Sequence, residues 1–260
     1  MHPDLSARVA VVTGGANGIG RATAVLLARH GAKVWAGDLH PLAENADVFT
    51  SLGITQMPCD VRIEGHVVRL IEAAVQGGHR LDILVNGAGI GLVKQIPEVS
   101  EAEWNACIDT NLKGAFFAAK HAIGPLRRSG GGSIVHISSN AGLLPRAHDP
   151  VYSTSKAALI ALTKSLALCH AADKIRVNAV CPGPVCDTGM MNADLEAADD
   201  PEAMKQRFIA ASPLARAYGR MIRPEEVAQA VLYLASDAAA MVTGTAVAID
   251  GGKSLGVPPP

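Results

Sequence analysis

Short runs of apolar, largely β-branched residues recur along the chain at RVAVVT (8–13), AKVWAGD (32–38), ITQMPC (54–59), LDILVN (81–86), GSIVHIS (132–138) and IRVNAV (175–180). Between them lie amphipathic stretches of helical length over 19–30, 61–76, 101–127 and 152–170. Strands that are apolar on both faces and alternate with helices form a parallel sheet covered on two sides, so the pattern predicts a doubly wound α/β fold. The alternation lapses after residue 183 over a stretch longer than compact domains usually leave without strands. It resumes with RPEEVAQAVLYLAS (223–236), whose proline and two glutamates mark a helix start, and ends in TAVAID (245–250) as a last strand. Neither a linker nor a repeat divides the chain, so the expectation is a single domain over 1–260 with about seven strands. The tail GVPPP lacks the donors for a sheet ladder.

Composition narrows the classes. Across 260 residues the formal net charge is −1 and no basic stripe appears, which argues against nucleic acid or an anionic lipid surface as partner. The longest apolar stretch, ALIALTKSLALC (158–169), is broken by Lys164 and is too short to span a bilayer. Five cysteines without a CxxC pair suit reduced thiols, and the N-terminus runs into a strand without a leader pattern, so a cytoplasmic protein is expected. Cys181 and Cys186 lack further ligands at zinc-like spacing, and no metal site is expected.

Two stretches carry chemistry. The first strand ends in TGGANGIG (13–20), where Gly14, Gly18 and Gly20 allow a tight turn into a helix N-terminus, a place suited to a pyrophosphate. The spacing is G-x-x-x-G-x-G rather than G-x-G-x-x-G. Asp38 closes the second strand eighteen residues after Gly20, where a carboxylate would bond ribose hydroxyls and repel a 2′-phosphate. Its plainer role is a strand-end turn former. Neighbouring Ala16, Asn17 and His40 supply no permanent cation. The second stretch, VYSTSK (151–156), places Tyr152 and Lys156 one helical turn apart in a chain with only three tyrosines. An ammonium about 4 Å from a phenolate would contribute roughly 4 kcal/mol, or about three pKa units, so Tyr152 is expected to titrate near neutrality. In an isolated pair of this kind, a solvated helix face is the commoner outcome.

With TGGANGIG, CDV (59–61), NGAG (86–89), SS (138–139), YSTSK (152–156) and CPG (181–183) in this order, the chain resembles the short-chain dehydrogenase/reductase family from about Arg8 to Gly252. The resemblance implies a Rossmann-type, NAD-dependent oxidoreductase that interconverts a secondary alcohol and a ketone. By the same resemblance Tyr152 is the acid/base, Lys156 lowers its pKa and holds the nicotinamide ribose, Ser139 positions the substrate oxygen, and Asn111 holds a water of the proton relay. The implied cofactor residues are Gly14, Asn17, Gly18, Ile19 and Gly20 at the pyrophosphate turn, Asp38 at the ribose, and Asp60 and Val61 around the adenine. Asn86, Ala88, Gly89, Tyr152, Lys156, Pro182, Gly183, Val185 and Thr188 complete them. NGAG replaces the family's double Asn, so Gly87 is expected to cost cofactor affinity, and Thr188 stands one residue later than the pattern expects. The substrate pocket is expected at Ile90, Gly91, Leu92, Asn140, Pro184, Val185 and a lid over 188–212. Lys94, Arg146 and His148 stand at its edge, as solvated surface or as a carboxylate site. A homotetramer is implied. The alternative is a cofactor-binding regulatory or structural subunit that lost turnover.

Overall fold

The first strand, β1 (Val9–Thr13), is buried along its whole length because its alternate residues feed two different cores. In the computed structural model, which describes residues 3–144 and 146–256 without the side chain of Glu44, Ala10 and Val12 join one core while Val9 and Val11 join the other. From β1 the chain passes through α1 (Gly18–Arg29), β2 (Lys33–Asp38), α2 (Ala46–Ser51), β3 (Thr55–Pro58) and α3 (Glu64–Gly78) to β4 (Ile83–Asn86). A long helical segment follows as α4 (Glu101–Ile108), a π turn (Asp109–Lys113) and α5 (Gly114–Arg128), and leads to β5 (Gly132–Ile137). Next come α6 (Pro150–His170) and β6 (Ile175–Pro182). The chain then runs through α7 (Gly189–Glu196), α8 (Pro201–Ala210), α9 (Pro213–Tyr218) and α10 (Pro224–Ala235) to β7 (Ala246–Ile249).

The described strands form one parallel sheet in the order β3-β2-β1-β4-β5-β6-β7, the doubly wound arrangement that the alternating pattern predicts. Leu27 of α1, Phe49 of α2 and Val227 and Val231 of α10 pack on one face; Val67 and Leu70 of α3, Ala118 and Leu126 of α5 and Ala167 of α6 pack on the other. The strand order reverses between β1 and β4, and open sheets of this kind bind ligands at the carboxyl edge there. Thr13, Asn86, Ile137 and Pro182 end β1, β4, β5 and β6 on that edge.

Two features depart from the pattern along the chain. The expected single helix over 101–127 contains the π turn, and the lapse after residue 183 folds into α7, α8 and α9, three short helices. Met191, Ile209 and Met221 give these helices a small core of their own beside the main ones. Among the described residues no helix is long and apolar enough to cross a membrane. The tail expected to be ladder-free lies, from residue 257 on, outside the described residues.

Candidate active site

A cleft of about 1060 Å³ opens along the carboxyl edge of the sheet. One half is built on the turn between β1 and α1. Gly14 there has φ +66°, and a Cβ would stand 2.7 Å from Ala88 N; a Cβ on Gly20 would collide with Gly14 O. Only glycine lets the loop after β4 and the start of α1 approach this closely. The N-terminus of α1 carries neither a side-chain cap nor an acidic residue in its first turn, so its N–H groups stay open to an anion. Asp38 fixes the loop from β2, its Oδ2 accepting from Ala16 N at 3.0 Å and its Oδ1 from His40 N at 3.2 Å. Asn17, Gly18, Ile19, Asp60, Val61, Ala88, Gly89, Pro182, Gly183 and Val185 line the same cleft. Thr188 joins them by capping α7 through Met191 N at 3.1 Å, with its methyl against Gly18.

The other half gathers Ser139, Tyr152 and Lys156 on one wall. Ser139 follows β5 and turns the chain, its Oγ accepting from Ala141 N at 3.1 Å. Pro150 starts α6, so Tyr152 and Lys156 fall on its first two turns. Ser138 ties that helix to the sheet edge by donating to Lys156 O at 2.8 Å. Lys156 is 3% exposed, and its Nζ donates to Ile137 O at 3.1 Å and stands 5.7 Å from the Tyr152 ring centre. Burial lowers the Lys156 pKa to about 8.

The expectation of a phenol titrating near neutrality is not met by this arrangement. Burial acts first and pushes Tyr152 above its ordinary value, while a hydrogen bond with Ser139 and then the charge of Arg146 pull it part of the way back. The ammonium is spent on a backbone carbonyl and faces the ring, so it does not offset the desolvation of the phenol.

Asn111 and Asn86 sit behind the cleft rather than on its wall. Asn111, in the π turn, accepts from Ile90 N at 2.8 Å and donates to Ile90 O at 3.0 Å and to Ser155 Oγ at 3.1 Å. Ser155 in turn donates to Tyr152 O at 2.7 Å, so one hydrogen-bonded path joins the loop after β4 to the helix bearing Tyr152. Asn86 is buried against His136, with its Nδ2 3.1 Å from Nδ1 of the ring. Among the described residues its Oδ1 and His136 Nε2 have no hydrogen-bond partner, and burial lowers the His136 pKa to about 4. Gly87 is seated tightly, since a Cβ there would stand 2.8 Å from Thr13 O. Asp60 lines the cleft with both oxygens held by Arg62 at 2.7–3.1 Å. Lys94 is paired with Glu103 at 2.6 Å and stands off the cleft, whereas Arg146 and His148 line it. Asp194 and Arg207 line it from within the expected 188–212 segment, and Lys253, which was not anticipated from the sequence, lines it as well. Only the folding of α7, α8 and β7 brings them there.

Comparison with known proteins agrees with the geometry. The family model described as Enoyl-(Acyl carrier protein) reductase matches residues 14–254. A cis-4-hydroxycyclohexanecarboxylate dehydrogenase of Sinomonas cyclohexanicum is 41% identical, with 94% of this chain and 96% of that protein aligned. A 4-formylbenzenesulfonate dehydrogenase of Comamonas testosteroni is 38% identical over 97% of this chain and all of that protein (100%). A solved structure from Burkholderia xenovorans, described as a short-chain dehydrogenase/reductase, superposes with a TM-score of 0.91 at 33% identity, covering 98% of this chain and 99% of that one. The chain therefore belongs to the short-chain dehydrogenase/reductase family and is an oxidoreductase of that type. Members of the family use a nicotinamide dinucleotide, NAD or NADP.

Proposed function

We propose that this oxidoreductase uses NAD to interconvert a secondary alcohol and a ketone, with Tyr152 as its acid/base. The observation that carries the reading is the convergence of Ser139, Tyr152 and Lys156 on one wall of a cleft whose other half is a glycine turn at an uncapped helix N-terminus. A dinucleotide fits the residues present: the open N–H groups of α1 suit its pyrophosphate, and Asp38, bonded only to backbone N–H groups, suits a ribose diol. When bound, the nicotinamide supplies or accepts the hydride.

The chain's own residues handle the oxygen. During reduction the substrate oxygen gains negative charge; the Tyr152 hydroxyl donates a proton to it while Ser139 Oγ donates a hydrogen bond. Oxidation runs the same contacts backwards, with Tyr152 taking the alcohol proton. Lys156 places a positive charge beside the phenol ring and favours the phenolate whenever it forms. Asn111 acts from behind, holding Ile90 and Ser155 and thereby the spacing between the two halves.

The preference for NAD rests on Asp38, which would repel a 2′-phosphate. Arg62, a cation on the same cleft, is committed to Asp60. A secondary alcohol accords with the cyclohexanol ring named for the Sinomonas relative. The five cysteines are all free, as suits a reducing compartment such as the cytoplasm. Fluorescence titration with NADH and NADPH, followed by an alcohol and ketone panel read at the nicotinamide absorbance band, tests the reading. NADH should bind more tightly, and Tyr152→Phe should abolish turnover while cofactor binding stays almost unchanged. Equal kcat/KM with both cofactors refutes the NAD assignment. Binding with no turnover of any substrate returns the chain to the class of regulatory subunits.

A further inference from the structure

The substrate side of the cleft holds positive charge that the protein itself leaves unanswered. Arg146 places its guanidinium 5.9 Å from the centre of the Tyr152 ring. Its Nη2 bonds the Asp149 carboxylate and lies 3.3 Å from His148 Nε2. Its Nε is closed off from solvent without a hydrogen-bond partner, and Nη1 bonds nothing among the described residues. Asp149 is 1% exposed, and its second oxygen is held by Ser153 Oγ at 2.9 Å, so neither oxygen is left for a further bond to the cations around it.

Lys253 lies in the turn after β7 (Lys253–Leu255) and lines the same cleft. Its backbone N–H donates to Asp250 O at 3.2 Å, but among the described residues its ammonium has neither a hydrogen bond nor an ion pair. The Asp250 carboxylate, three residues earlier, acts on that ammonium through space but makes no bond to it, because Gly252 N at 2.9 Å and Ser254 N at 2.8 Å occupy its two oxygens. Burial, and then the charge of Arg146, lower the proton affinity of Lys253, and Asp250 and Asp149 restore only part of it. The other charged groups on this cleft wall are Arg207 of α8 and Asp194 of α7. Burial pushes the Asp194 carboxyl up, with Arg146 drawing it back and Asp149 raising it again. Three cations thus line this part of the cleft with two carboxylates, one of which is already bonded by Arg146, and the Lys253 ammonium keeps all its donors free. A half-desolvated cation is costly until it meets an anion, and a guanidinium fork matches the two oxygens of a carboxylate.

We propose that the substrate carries a carboxylate, held by Arg146 and Lys253 on the wall of the cleft beside Tyr152, which makes the enzyme a hydroxy-acid or keto-acid oxidoreductase. The inference rests on the alcohol/ketone reading above. A carboxylate at Arg146 sets the reacting carbon close to the phenol, so selectivity falls on acids whose carboxylate and carbonyl are near each other.

The test pairs keto acids with their methyl esters: pyruvate, acetoacetate, levulinate and 3-oxocyclohexanecarboxylate. Reduction is followed by loss of NADH absorbance, and acid binding to the NADH-loaded protein by calorimetry. At least one acid should exceed its ester in kcat/KM by about tenfold or more. Lys253→Gln should raise KM for that acid several-fold and leave the ester unchanged. Arg146→Gln should raise that KM more strongly, and because the Arg146 charge also acts on Tyr152, this variant is read on the acid-to-ester ratio of kcat/KM. Because removing Arg146 strands Asp149, Lys253→Gln, which breaks no protein contact, is the decisive variant. Esters used as well as acids, or an acid preference untouched by Lys253→Gln, overturns the inference. If neither acids nor esters turn over, calorimetry still decides: acid binding that weakens in both variants upholds the anion site and strikes only the hydride-transfer reading. No acid binding overturns the site itself.

Discussion

Lys156 keeps an ammonium group in a place that is 3% exposed, and the fold bears a cost for it. A pKa lowered from 10.5 to about 8 by burial corresponds to about 3 kcal/mol of disfavour for the charged form. The sign follows from linkage. Below pH 8 the group is charged in folded and unfolded chains alike, so the full cost is present; above 10.5 it is neutral in both and the cost is gone. Stability from this group therefore rises with pH between those values and is lost again as pH falls. Lys156→Met should raise the melting temperature at pH 7 by about 2–6 °C while abolishing turnover, the loss of the bond to Ile137 O moderating the gain. Scanning calorimetry checks this, and the gain should fade toward pH 10.5. A less stable variant at pH 7 would show that the buried charge is not what sets the balance. The YxxxK spacing made the pair legible, but the depth of its burial was not, and depth decides the direction in which Tyr152 shifts.

At the level of elements, the sheet was legible because central strands such as β1 and β4 are apolar on both faces, as a covered parallel sheet requires. The short helices of 189–218 were not, since none carries a full apolar stripe; Met191 and Ile209 are buried by meeting each other, Met221 and the half-buried Cys186, Leu195 and Phe208. The π turn was equally hidden, because it arises from Asn111 satisfying both backbone groups of Ile90 rather than from periodicity. Asn111→Ala should destabilise the protein by about 1–3 kcal/mol in urea unfolding, since Ile90 N and O lose a buried partner. An unchanged midpoint would mean that water replaces the amide without loss. Glycines and Tyr152 were found from sequence, whereas Lys253 was not, because a lysine after a Gly-Gly pair carries no signal until β7 pairs with β6 and brings it to the cleft. Residues 188–212 remain our candidate lid. Met190, Met204 and Phe208 of α7 and α8 line the cleft, so movement of these helices toward it would bury further apolar surface. Amides there should exchange faster in the protein alone than with NAD bound. Equal protection in the two states would retire the lid.

The whole molecule leaves apolar side chains on two helical faces that lie away from the cleft. Trp104 of α4 and Phe116 of α5 are 43% and 46% exposed, and Leu168 of α6 is 83% exposed. Met241, before β7, is 96% exposed, and Tyr233 of α10 is 45% exposed. Single exposed apolar residues are ordinary on a monomer, but these five fall on helices and near the last strand. Those are the faces on which the resemblance to the family places a homotetramer. Two separate patches on one chain, each meeting its own copy about a two-fold axis, generate a closed assembly of four. Light scattering after gel filtration at micromolar concentration should give the mass of four chains. Phe116→Glu together with Trp104→Glu should reduce it to that of a dimer, and Leu168→Glu should act on the other contact if that contact lies on α6. A monomeric mass for the unaltered protein would end the proposal, and a dimer indifferent to the α4 and α5 substitutions would move the interface to α6 and the last strand.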